Sequence, residues 1–187
     1  IDGQHRFLCW QKLNEPVVYI IYNGYGFEEA RRLNANLKTW SMDDYLRAYL
    51  ELGVKDYILY NQFREQYKLS HSISLTIVNK KTHLTQEQRE EFMDGNLNFD
   101  SIAFQEVSKI AGKIQKGREF YLGWQRRCYV SALLRLLKLP EFDYDEYLRK
   151  LAYQRDKLYD VTNTAAYLNI IINIYNYHSP AANRISL

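Results

Sequence analysis

The chain has 187 residues, 47% of them apolar and 25% charged, with a net charge of +3. That balance excludes a disordered chain and fits one or two globular domains with a substantial core. The mild positive charge is compatible with a nucleic-acid partner without requiring one. Two cysteines, Cys9 and Cys128, stand far apart and outside any Cys-x-x-Cys or Cys/His cluster. Neither a zinc site nor a disulfide framework is therefore expected, and two reduced thiols fit a cytoplasmic protein. The most apolar window, Leu168 to Ile174, is short and interrupted by Asn169 and Asn173, which rules it out as a membrane span.

In chain order, Ile1-Asp2-Gly3-Gln4-His5-Arg6 reads as a strand-to-helix turn, followed by a short amphipathic helix from Phe7 to Leu13. Backbone N–H groups at a helix start favour anions. Gly3 lets a phosphate approach the backbone, and Arg6 can fork two hydrogen bonds to it. The alternative is a tight turn in which Asp2 caps the helix and Arg6 is a surface charge. Val17 to Tyr22 is a continuous β-branched and aromatic run, which predicts a strand buried on both faces. Asn23-Gly24-Tyr25-Gly26 breaks it. Phe27, Ala30, Leu33 and Leu37 then fall at helical spacing. Ser41 or Asp43 caps the next helix, which runs to Leu52 and stops at Gly53.

Asp56 to Val78 reads as two helices joined by Lys68-Leu69-Ser70-His71, with Ser70 or Ser72 as the second cap. The pair has the size of a helix-turn-helix. In that reading His71, Ser72, Ser74 and Thr76 face the major groove, with Lys80 and Lys81 on phosphates. Arg64 and Lys68 stand where such a motif prefers a small residue and a glycine, so an ordinary helical hairpin is the alternative. Thr85 and Gln88 form a capping box for Gln86 to Met93.

The remaining chain predicts a helical bundle. Phe99 to Ile114 has a 3.6-residue period, Phe120 to Leu139 follows, Asp143 starts Tyr144 to Tyr153, and Asn163 starts Ala165 to Tyr177. Lys109, Lys113 and Lys116 share a helix face. They form either a phosphate-contacting stripe or a solvated surface. The seventeen tyrosines sit mostly at apolar periodic positions, which favours packing over base stacking.

Asp2-Gly3-Gln4-His5-Arg6 resembles the second box of the ParB/sulfiredoxin superfamily, in phage and plasmid ParB-like proteins with a DGQHR box. The order behind it resembles the family too. A helix ends in Leu13-Asn14-Glu15, Pro16 to Tyr22 resembles the following strand, Phe27 to Asn36 resembles an Asn-rich helix, and Trp40 to Tyr45 resembles the next helix start. The resemblance covers roughly the first 80 residues. The family carries strands and a first box upstream of this turn, so the resemblance implies an N-terminally incomplete domain.

The resemblance implies that Gly3, Gln4, His5 and Arg6 hold the phosphates of a nucleoside triphosphate, CTP or ATP with Mg²⁺, and that Asn34 and Asn36 assist. Sulfiredoxin activity is not expected, because Gln4 stands where those enzymes carry cysteine. The combined expectation is an α+β, mostly α chain. A partial ParB-like α/β piece spans residues 1–53, helix-turn-helix-like helices span 54–82, and a helical domain spans 83–187. Its expected role is nucleotide-responsive DNA binding, with a homodimer or partner protein engaged through the helical half. The alternatives are a nucleotide hydrolase or nuclease in which Asp2 or His5 assists, and a non-catalytic assembly module.

Overall fold

A computed structural model of the chain describes residues 4–19, 21, 23–27, 29 and 40–186, and the backbone alone for residues 4–6. All regular structure among these residues is helical. The mostly helical expectation therefore holds. Contacts group the chain into two units, 1–47 and 48–187.

In the first unit, α1 spans Gln4–Leu13, so it begins three residues before the apolar spacing predicts. Asn14 closes it in the left-handed region at φ 56°, and the Glu15 N–H donates to the Trp10 carbonyl at 3.1 Å. The predicted strand over Val17 to Tyr22 does not form among the described residues. Residues 17–19 and 21 join no ladder, and Val18, Tyr19 and Ile21 are all exposed. The physical reason is that β propensity measures fit to a pleated, half-buried surface rather than a backbone preference. No described segment runs alongside to supply that surface. Further on, the Gly26 N–H donates to Glu29 Oε2 at 2.8 Å. Phe27, Trp40 and Tyr45 then meet edge to face, with centroids 5.8 and 5.1 Å apart.

Helix α2 (Met42–Glu51) is capped by Ser41 rather than Asp43. The Asp44 N–H donates to Ser41 Oγ, and the Ser41 N–H donates back to Asp44 Oδ2 at 2.8 Å. Gly53, at φ 70°, ends the turn that follows.

In the second unit come α3 (Lys55–Tyr67), α4 (His71–Val78), α5 (Gln86–Met93), α6 (Ser101–Lys116), α7 (Arg127–Leu136), α8 (Tyr144–Tyr153) and α9 (Thr164–Asn176). Helices α3 and α4 pack on α6, α4 also packs on α3 and α7, and α9 packs on α7 and α8. Residues 54–82 and 83–187 thus meet inside one unit. Helix α4 lies at its centre, with Ile73 to Val78 buried without a break.

Two aromatic clusters fill this unit. Tyr57, Tyr60, Phe63, Phe92 and Phe99 are fully buried in one; Tyr129, Tyr144, Tyr147 and Tyr167 are buried in the other. Tyrosine suits such sites because an apolar ring carries a polar tip that can reach a partner. The Tyr57 hydroxyl donates to the Phe92 carbonyl at 2.6 Å, and the Tyr121 hydroxyl donates to Asp160 at 2.5 Å. The sequence predicts helix from Phe120, but α7 starts at Arg127. The intervening turns bring Gly123 against Tyr121, where a Cβ would lie 2.4 Å from the ring.

Candidate anion-binding site

Helix α4 ends in a left-handed turn. Lys80 takes φ 52°, its N–H donates to the Ile77 carbonyl at 2.9 Å, and the Lys81 N–H donates to the Thr76 carbonyl at 3.2 Å. This pair of bonds satisfies carbonyls that the helix end would otherwise orphan, and glycine usually occupies the left-handed position. Ser131 Oγ of α7 donates to the Thr82 carbonyl and ties down the segment that follows. The two lysines are therefore held by backbone geometry.

Helix α6 presents Lys109 and Lys113, four residues apart on one face. Its position is fixed at the N-terminus by Asp100, whose Oδ1 accepts from the Ala103 N–H at 2.8 Å. Helix α7 supplies Leu134, and Leu137 and Lys138 follow at its end. Together these segments line a half-open pocket of about 270 Å³. Its floor is Ile77, Ile110, Leu134 and Leu137; its rim is Lys80, Lys81, Lys109, Lys113 and Lys138.

Lys80 pairs with Glu106. Among the described residues no carboxylate lies within ion-pair distance of Lys81, Lys109, Lys113 or Lys138. Lys116, the third member of the α6 stripe, turns away to Asp145 at 3.2 Å. Four uncompensated ammonium groups over a low-dielectric floor make a local positive potential, which an anion would relieve.

The other sequence-derived candidates separate into three groups. Asp2, Gly3, Asn34 and Asn36 lie outside the described residues. Gln4, His5 and Arg6 form the first turn of α1. On α4 the groove-reading expectation needs correction. Ser74 and Thr76 are buried, and Thr76 Oγ1 donates to the Ser72 carbonyl at 2.7 Å. His71 is half-buried; its ring stacks on Tyr60, and its Nε2 faces Arg64. Ser72 is also half-buried. A helix that reads a groove must keep one face clear of protein along its length. Helix α4 does not, because α3, α6 and α7 all pack on it. The hairpin alternative describes this pair.

Lys80 and Lys81 remain as candidates, now joined to Lys109 and Lys113. Sequence reasoning missed Lys138 and the aliphatic floor. Their only local signal is a basic residue at each of three helix ends or faces, which does not say that they converge. Among the described residues no group of three or more His, Cys, Asp or Glu side chains is placed to hold a metal ion. No helix among them is long and apolar enough to cross a membrane. Compared with known proteins, the chain matches no family model, no curated protein and no solved structure.

Proposed function

We propose that the chain is a ParB-like DNA-binding module that grips the phosphate backbone through Lys81, Lys109, Lys113 and Lys138, with Lys80 beside them neutralising Glu106. The observation that carries this reading is the convergence of the five lysines, from three separate segments, around one pocket. Phosphate contacts position a protein on DNA and carry no direct sequence information. With Ser74 and Thr76 buried, binding through this face is governed by charge and DNA shape.

A nucleotide response is supported by the resemblance of Asp2-Gly3-Gln4-His5-Arg6 to the ParB-like box, of which Gln4 to Arg6 lie in α1. In that reading Gly3, Gln4, His5 and Arg6 hold the phosphates of CTP or ATP, with Mg²⁺ accompanying the triphosphate.

Fluorescence anisotropy with labelled DNA over a salt series tests both parts. Four unpaired lysines on phosphates give a slope of log K against log [salt] of about −3.6 on duplex DNA. Lys109→Gln with Lys113→Gln lowers its magnitude by about 2. CTP or ATP with Mg²⁺ shifts the affinity, and Arg6→Ala abolishes that shift. No binding at low salt, or a slope that the double variant leaves unchanged, overturns the DNA reading.

A further inference from the structure

The aliphatic floor of the lysine pocket has no part in DNA binding. Phosphates reach the lysines, but the hydrophilic sugar–phosphate backbone has no use for the aliphatic side chains between them, of which Ile110 and Leu137 are half-buried and Ile77 and Leu134 buried beneath. These residues line a half-open pocket of about 270 Å³, and none carries a polar side-chain atom. Water there would find too few hydrogen-bonding partners to be held firmly. The site thus has two chemically distinct halves, and one ligand type satisfies both: an aliphatic body ending in an anionic head. No acidic residue lines the pocket, and Lys80 pairs with Glu106 outside its lining, which leaves the four other ammonium groups to face the ligand.

We propose that this pocket binds an acyl carboxylate, with its chain on the aliphatic floor and its head among Lys81, Lys109, Lys113 and Lys138. The carboxylate and DNA use the same lysines and therefore exclude each other, which makes the acyl anion a releasing ligand. That consequence rests on the DNA reading; the acyl site itself does not.

Calorimetry on the whole chain with acetate, hexanoate, octanoate and decanoate tests the site. Acetate gives no measurable heat, and affinity rises about fourfold per added methylene until the floor is filled. Decyltrimethylammonium, with the same chain and a cationic head, does not bind. Lys109→Gln with Lys113→Gln, both on exposed side chains, weakens decanoate about tenfold with an unchanged circular-dichroism spectrum. Absence of decanoate binding, or equal binding of the two heads, overturns the proposal. In a parallel competition, decanoate displaces DNA from the wild-type chain. Simultaneous binding of both overturns the shared-lysine consequence, whereas decanoate binding by a chain that never binds DNA overturns the DNA reading alone.

Discussion

Lys80 holds the left-handed position at the end of α4, where glycine is the easier residue. A lysine pays a steric penalty there of roughly 1 kcal/mol. Its pairing with Glu106 is exposed and returns little of that. Lys68 takes the same conformation at the end of α3, so the conformation by itself assigns no role; at the pocket Lys80 also neutralises Glu106. Lys80→Gly is expected to leave the unfolding free energy unchanged, or to raise it by up to about 1 kcal/mol, while weakening DNA binding. Urea denaturation beside a DNA titration checks this; a destabilised variant with intact DNA affinity would assign Lys80 to the fold. The sequence shows that two lysines follow α4. It does not show that the first has a positive φ, because that depends on how the last turn closes.

At the scale of elements, local signals were legible where one side chain settles the outcome. Thr85 and Gln88 form the capping box that their spacing predicts, at 3.2 and 3.1 Å. Asp143 and Asn163 start α8 and α9 as read. Caps act within one turn, so sequence distance is spatial distance. The environment of α4 was not legible, since His71-Ser72-Ile73-Ser74-Leu75-Thr76 fits an exposed reader as well as a core helix. Packing against α3, α6 and α7 decides it. The same limit applies to Val17 to Tyr22, whose strand pattern lacks a described neighbour. The central place of α4 carries a prediction. Ser74 Oγ is buried and finds no hydrogen-bond partner among the described residues. An unsatisfied buried hydroxyl costs about 1–3 kcal/mol, so Ser74→Ala raises the denaturation midpoint. DNA affinity stays the same. A loss of DNA affinity without a gain in stability would restore α4 as a groove reader.

For the whole molecule, the tyrosine-rich second unit makes stability vulnerable to high pH. Burial pushes the phenols of Tyr57, Tyr129, Tyr144 and Tyr147 well above their ordinary value. Burial, then the bond to Asp160, does the same for Tyr121. In the unfolded chain these groups lose protons above about pH 10, whereas in the native chain they keep them. The native state then binds more protons, so stability is intact below about pH 10 and falls as pH rises beyond it. Each such tyrosine adds up to about 1.4 kcal/mol per pH unit to that fall. Phenolate absorbance and circular dichroism should therefore change together in one steep alkaline transition. Phenolate release without loss of helix would contradict the buried clusters.

The gathering of the lysines also belongs to this scale. It arises from the ends and faces of α4, α6 and α7, which no stretch of sequence brings together. Lysine acetylation footprinting with and without DNA, read by mass spectrometry, tests it most directly. The account predicts that DNA protects Lys81, Lys109, Lys113 and Lys138 together and leaves the exposed Lys55 and Lys157 reactive. Protection spread evenly over all lysines, or absent from the pocket rim, would contradict it.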